Sequence, residues 1–561
     1  MNPITARPAS DVAAPEQVTA RRPRVAYLTW AVPVVVAAAL GVYEIGVPQL
    51  WRDEFASWSA AGRTLPQLWA MVHNIDAVLG VYYFGLHLWM AVFGDSATAM
   101  RLPSVFAMAA AAGVVALIGR RLAGGAAGLA SGLTFAVIPS VSRYAQEARP
   151  YAFAMFFAAL ATLMFLRAME RPHWSRWGIY ALVLACAGVA NLVTVCVAAA
   201  HLLILLWDFL QRTVRVGGDG TPETGRALPG GRLAPQGSPL LLLWRFLVSV
   251  VVGAILISPL VLAGHSQQGW QIGQQASPHV AQLIGVSGGL WQELFASTPV
   301  AVVVMLLAVA GLVAAPDARR RVMAGYALAF AIAPVVAVWI ISRGPTSYWT
   351  FRYMLFSVVG WSIGAGLCVS FIAERVNRTR LAPLRGRLSP RFAAAAILVL
   401  AVGLIGIHDQ LAIRQNEAHN LWAYPELPSN GQPVDYQAAA AIIAANERPG
   451  DRIAYQTSDS NHYQVDTSIA YYLGDKTPQP VFQAYSQVQN NDLQPVECKD
   501  AAACITGTPR IWVVFVDHLA PDPFSALQWN QDTYLQTLGY QTQQQWQENG
   551  ITVALLTVLT S

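Results

Sequence analysis

The chain has 561 residues, 55% of them hydrophobic and only 12% charged, with a mean hydropathy of +0.42. A soluble domain carries about 25% charged residues, so an ordinary soluble fold is excluded, and apolar content this high excludes intrinsic disorder. The net charge of +5 comes from basic residues scattered between apolar runs, with no stripe for nucleic acid; a polytopic membrane protein with room for one further domain is left.

Taken in chain order, residues 1–24 are Ala/Pro-rich and read as a disordered cytoplasmic N-terminus leading into a signal anchor. Residues 25–410 read as the membrane domain. Apolar runs lie at 25–47, 101–119, 122–142, 150–166, 177–209, 241–263, 298–315, 322–342, 353–373 and 392–410. The 33-residue run 177–209 is too long for one helix and reads as two compact spans turning near Asn191, which makes about 11 spans.

Positive-inside bias fixes the orientation. Arg21, Arg22 and Arg24 place the N-terminus in the cytoplasm. The clusters at Arg120–Arg121, Arg167–Arg176, Arg212–Arg232, Arg319–Arg321 and Arg375–Arg391 all fall inside if the spans alternate. That parity makes the run Val78–Gly94 an amphipathic helix on the outer face, and 48–100 a large first extracytoplasmic loop. The Gly/Pro-rich stretch 211–240 reads as a cytoplasmic loop.

Residues 411–561 then become an extracytoplasmic domain, with six basic and fifteen acidic residues. Tyr436–Asn446 and Ser468–Leu473 have helical patterns. Arg452–Gln456, Arg510–Asp517 and Ile551–Leu559 have strand patterns, so a small α/β domain is expected. Its Trp422, Trp512, Trp529 and Trp546 offer sugar-stacking surfaces, with core packing as the ordinary use. Cys498 and Cys504 can pair in an oxidising compartment.

Polar residues that need explaining gather on the outer side. Asp53 and Glu54 follow the first span; adjacent carboxylates at a membrane surface repel, which predicts a raised pKa and a general base. His73, Asn74 and Asp76 share that loop, and Tyr83 opens the aromatic helix. Arg143, Gln146, Glu147, Arg149 and Tyr151 crowd the outer ends of two helices, with Pro150 starting the second. In the block that also holds Tyr348 and Tyr353, Arg343 and Arg352 face outward against the positive-inside bias and call for an anionic partner, for which the arginine fork suits a phosphate. His265, Gln267, Gln268, Trp270 and Gln274 supply neutral hydrogen bonders fit for sugar hydroxyls. Each block alone has an ordinary counterpart: solvated loop charge, an interfacial ion pair, or a snorkelling side chain. There is no HExxH, P-loop, CxxC pair or GxGxxG after a strand; no cofactor is assigned, and a divalent cation is left open.

Together, Asp53-Glu54, YYFGLHLWMAVFG at 82–94, RLPS at 101–104, GRRLAG at 119–124, SRYAQEARPYA at 142–152 and FRYMLF at 351–356 resemble the GT-C superfamily of glycosyltransferases that use lipid-phosphate sugars. The nearest branch holds the protein O-mannosyltransferases and the bacterial lipid A aminoarabinose transferase. Where the mannosyltransferases carry a His-Pro-Pro-like stretch ahead of the aromatic helix, this chain reads HNIDAVLG. The resemblance implies a GT-C fold, a polyprenyl-phosphate sugar donor, and inversion at the sugar. It makes Asp53 the base and gives Arg352 the lipid phosphate. Glu54 would orient Asp53 or hold the acceptor, while Glu147 and Arg149 shape the sugar pocket. Only Lys476 and Lys499 among 36 basic residues are lysine, the coding habit of a GC-rich bacterium. Mannose or arabinofuranose, passed to an envelope glycan, glycolipid or protein outside the plasma membrane, is therefore expected. A transporter or flippase of lipid-linked sugars is the alternative and predicts charged or broken helices at the bilayer midplane.

Overall fold

The computed structural model describes residues 23–216, 238–271, 276–286, 289–378, 390–416, 434–456, 464–505, 508–517 and 520–558. Most of 1–24 and of the 211–240 loop, with Gln274, Trp422 and the side chains of Gln268 and Trp270, lie outside the described residues.

Helix α1 (Pro23–Val42) leads into a loop of short helices, α2 (Arg52–Ala61), α3 (Leu65–Asn74) and α4 (Gly80–Phe93). A helical array follows: α5 (Ala97–Ala123), α6 (Gly125–Val137), α7 (Pro139–Ala145), α8 (Tyr151–Glu170), α9 (Trp174–Ala190), α10 (Val197–Val216) and α11 (Pro239–Gln271). Short α12 (Val280–Leu283) and α13 (Leu290–Phe295) precede α14 (Thr298–Ala314), α15 (Ala318–Ile341), α16 (Ser357–Arg378), α17 (Pro390–Ile405) and α18 (Ile407–Ala412). Among the described residues, six helices are long and apolar enough to cross a membrane. They become seven if α6 and α7, bent by 64°, form one span; five shorter apolar helices include α1, α4, α9, α14 and α17. The bend falls at Pro139, which opens α7 where its missing N–H costs little. The 177–209 run breaks at Asn191, whose side chain accepts from the Val193 N–H and starts a single 3-10 stretch before α10.

Close packing holds the array. Helix α5 lies against α1, α6 and α8, and α16 against α6, α14 and α15. At the α6–α16 crossing, a Cβ on Gly366 would collide with the backbone and hydroxyl of Ser131, so only glycine allows the two helices this close. Helix α4 buries Tyr83 and Leu86, whereas Val81, Leu88, Val92 and Phe93 form an exposed apolar face. Such a face suits lipid contact along the helix.

The C-terminal region is α/β: α19 (Tyr436–Asn446), β1 (Arg452–Tyr455), α20 (Val465–Leu473), β2 (Gln479–Pro480), β3 (Gln483–Tyr485), β4 (Val496–Glu497), α21 (Ala501–Cys504), β5 (Arg510–Val516), α22 (Trp529–Thr537), β6 (Tyr540–Glu548) and β7 (Ile551–Val558). The main sheet has the order β2-β1-β5-β7-β6, parallel across β2-β1-β5 and antiparallel beyond. Strand β5 explains its unbroken apolar sequence. Trp512, Val514 and Val516 enter one core, and Ile511, Val513 and Phe515 enter the core on the other face. The first of these cores also contains Leu50, Phe55, Ala61, Leu86 and Met100, so the C-terminal sheet and the 48–100 loop share one apolar interior. A disulfide links Cys498 to Cys504. Trp512 is fully buried with Trp546 against it, and Trp529 is exposed.

Candidate active site

Helix α2 starts two residues after Leu50, with Trp51 extended at its N-cap and two acids, Asp53 and Glu54, in its first turn. Acids there complement the positive end of the helix. The two carboxylates have different surroundings. Glu54 is clamped by the fork of Arg101, Nε to Oε1 at 2.8 Å and Nη2 to Oε2 at 2.7 Å, with both side chains wholly buried. Its Oε1 also accepts from the Ala148 N–H at 2.8 Å, which fastens the α7–α8 turn to α2. Arg101 further donates to the carbonyls of Ile45, Pro48 and Gln49, so one guanidinium ties α5 to the loop that carries the acids.

Asp53 is half-buried and lies among three guanidiniums: Arg52 Nε at 3.5 Å, Arg149 Nη2 at 3.8 Å and Arg352 Nη2 at 3.9 Å. These are ion-pair separations, too long for hydrogen bonds. Burial alone would raise its pKa, but Arg149, Arg352 and Arg52 together outweigh burial and leave the carboxyl below the ordinary aspartate range. For Asp53, the raised value that an Asp-Glu pair suggests is thereby corrected. Glu54 is already paired with Arg101 and is the weakest of the influences on Asp53.

A second wall is built around Arg149. Its Nη1 donates to the Tyr83 hydroxyl at 3.2 Å, to Ser57 Oγ at 3.3 Å and to the Asp53 carbonyl at 3.4 Å. The Tyr83 hydroxyl in turn donates to Asp76 Oδ2 at 2.7 Å. Asp76 takes a left-handed backbone, φ +58°, to turn the chain into the segment before α4, a conformation aspartate tolerates. Burial raises the pKa of Asp76 despite Arg149 and Tyr83, and burial raises that of Glu147 despite Arg143, its partner at 2.7 Å. The ring of Tyr353 lies 5.9 Å from the Arg352 guanidinium and 6.3 Å from the ring of Tyr151. The cluster therefore collects more positive than negative charge. Arg149 Nε, Arg352 Nε, Trp51 Nε1 and the Tyr82 hydroxyl are buried there without hydrogen-bond partners among the described residues. Unpaired buried donors of this kind suit an anionic or polyhydroxylated ligand.

The structure thus gathers Asp53, Glu54, Asp76, Tyr83, Glu147, Arg149, Tyr151, Arg352 and Tyr353. Gln146 is turned away, donating to the Gly41 and Tyr43 carbonyls at the end of α1. His73 is exposed with Nδ1 on the Trp69 carbonyl, and His265 is exposed on α11. Arg343 donates to the Pro278 carbonyl and covers Trp339; the backbone N–H of half-buried Tyr348 donates to Ser342 Oγ. No contact links these four side chains to Asp53. Three site residues lay outside the expected set: Arg52, Arg101 and Trp51, whose ring lies 5.7 Å from the Arg352 guanidinium. Arg101 had a visible signal, being an arginine at the start of an apolar helix. Among the described residues, no three His, Cys, Asp or Glu side chains are grouped to hold a metal ion, and the guanidiniums about Asp53 fit an anion in preference to a cation.

Residues 80–217 match the family model described as dolichyl-phosphate-mannose-protein mannosyltransferase. Two crystal structures of ArnT from Cupriavidus metallidurans are similar in fold at 15% identity. The apo state covers 95% of this chain and 98% of its own at TM-score 0.50. The state bound to undecaprenyl phosphate covers 95% and 99% at TM-score 0.52. No curated protein matches the chain.

Proposed function

We propose that the chain is a glycosyltransferase of the GT-C type and moves a sugar from a polyprenyl-phosphate donor to an acceptor hydroxyl with inversion at the anomeric carbon; the family match over residues 80–217 and the ArnT-like fold support this reading. The observation that carries this reading is the ring of Arg52, Arg149 and Arg352 around Asp53, with two guanidinium Nε atoms buried and unpartnered. A lipid phosphate answers that charge, and the match to a family named for a lipid-phosphate mannose donor supports it. The sugar is mannose or arabinofuranose, and the acceptor is an envelope glycan, glycolipid or protein. The site and residues 411–561 face the outside of a bacterial plasma membrane, about 11 spans setting the side.

The reaction needs little machinery. The acceptor oxygen bonds to the anomeric carbon and its proton passes to the Asp53 carboxylate. The bond from that carbon to the phosphate oxygen breaks, and its electron pair leaves with the phosphate. Arg352 and Arg149 stabilise the charge that grows on the leaving oxygen, which lowers the barrier because they are already in place. Phosphate needs no protonation to leave, so one base suffices where glycoside hydrolysis uses two carboxylates. Asp53 is a weak base while three arginines hold its proton affinity down. A bound phosphate shares those cations and returns basicity to Asp53, and the acceptor hydroxyl becomes acidic as its oxygen commits to carbon. Glu54 is a positioning residue, fully engaged by Arg101. Tyr83, Asp76 and Glu147 line the side that would hold the sugar.

Purified protein in detergent, given radiolabelled polyprenyl-phosphate mannose or polyprenyl-phosphate arabinose with an envelope extract, tests the proposal. Transfer from one donor is expected. Binding of both donors with transfer from neither would move the protein to the carriers of lipid-linked sugars.

A further inference from the structure

A second polar cleft lies in the C-terminal sheet, apart from Asp53. It is open to solvent, and its empty space, the open mouth included, is about 440 Å³. The carboxyl end of β1, the first turn of α20 and the β3–β4 pair form its walls, contributing Tyr455, Gln456, Asp466, Gln483 and Glu497. Its position is one that α/β sheets favour. From β1 the chain runs to β2 on one side and later to β5 on the other, both parallel to β1, and ligands of open parallel sheets sit beyond the strand ends where the order reverses.

Gln456 gives the independent sign of a ligand. It is 5% exposed, its Oε1 accepts from the Val516 N–H at 3.0 Å, and its Nε2 has no hydrogen-bond partner among the described residues. The backbone donor fixes the amide the right way round, so the free group is a buried N–H donor that wants an oxygen acceptor. The cleft offers acceptors as well. Glu497 takes Gln531 Nε2 on Oε2 at 2.6 Å, which leaves Oε1 without a bond among the described residues. Among the described residues, no arginine, lysine or histidine lines the cleft. A phosphate would meet carboxylates there, and a bare cation would leave the Gln456 donor unmet. A hydroxyl both donates and accepts, and a sugar ring presents several beside an apolar face for Tyr455.

The cleft is joined to the helix that carries Asp53. Asp466 Oδ2 accepts from Gln487 Nε2 at 2.6 Å, and Gln487 Oε1 accepts from Ser59 Oγ at 3.1 Å. Ser59 is six residues along α2 from Asp53, about 9 Å at helical rise.

We propose that this cleft seats a neutral sugar unit of the acceptor glycan, a few units from the hydroxyl that is glycosylated. The word acceptor rests on the transfer reading; sugar binding by the cleft does not. The test titrates the full-length protein in detergent with neutral manno- and arabino-oligosaccharides of two to six units, read by saturation-transfer NMR and calorimetry. Wild type and Asp53→Ala are expected to bind one series alike. Gln456→Leu, Glu497→Gln and Gln483→Ala are expected to weaken it at least about tenfold, equivalent to about 1.4 kcal/mol. Glu497→Gln keeps the shape of the side chain and Gln483 is half-buried, so a folding failure of Gln456→Leu leaves the test intact. Loss of binding in the cleft variants with full transfer by Asp53→Ala would keep the cleft and sink the base. Binding untouched by all three cleft variants, binding of anionic oligosaccharides alone, or no oligosaccharide binding by wild type would overturn the cleft.

Discussion

Asp53 is governed by its cationic neighbours, and that dependence has a sign. A base works deprotonated, and Arg149, Arg352 and Arg52 hold its pKa below the ordinary value near 3.8. The acid limb of kcat/KM should therefore lie below the usual carboxylate range, with no inflection from Asp53 between pH 5 and 8. Replacing Arg149 or Arg352 by Gln removes a cation, raises the pKa and moves the acid limb to higher pH. A pH–rate profile of each variant checks this; limbs that stay in place while the rate falls would mean that the arginines do not set the ionisation of Asp53. Arg101 makes a different prediction. Its pair with Glu54 is fully buried, and breaking such a pair leaves an uncompensated charge worth about 3–5 kcal/mol. Arg101→Met should lower the thermal midpoint strongly and remove activity through misplacement of α2, whereas Asp53→Asn should leave the midpoint near wild type.

At the scale of elements, much of the chain was legible because pattern and environment agree. The helix at Tyr436–Asn446, the strands at Arg452 and Arg510, and the break at Asn191 follow from periodicity and capping residues. Strand β6 was not legible: its sequence YQTQQQWQE is almost wholly exposed at a sheet edge, so no apolar alternation marks it. The glycines of the array carry a clear expectation. Gly366→Val puts a branched side chain into the Ser131 backbone, and overpacking of this kind costs about 1–3 kcal/mol. Thermal unfolding in detergent should register the loss, and Gly403→Val, where a Cβ meets nothing within 4 Å, should not.

On the scale of the whole molecule, the site is assembled from segments distant in sequence. Asp53 comes from α2, Arg149 from the α7–α8 turn and Arg352 from the 3-10 turn before α16. The chemistry of these residue types was readable in order along the chain, but not their partition. Nothing local reveals that Arg101 takes Glu54 and leaves the arginines to Asp53, or that Gln146 turns toward α1. Nor does the sequence disclose that Leu50, Phe55 and Met100 share a core with Trp512 and Val553, since such a core joins segments more than 400 residues apart. That shared core packs the C-terminal sheet against the loop that bears Asp53. In the proposed reaction Asp53 takes the acceptor's proton as the lipid phosphate leaves. Single-turnover transfer from prebound polyprenyl-phosphate sugar, wild type against Asp53→Asn, measures this directly. A loss of about 10²–10⁴ in rate with donor affinity kept is the predicted result; an Asp53→Asn rate within a few-fold of wild type would contradict it.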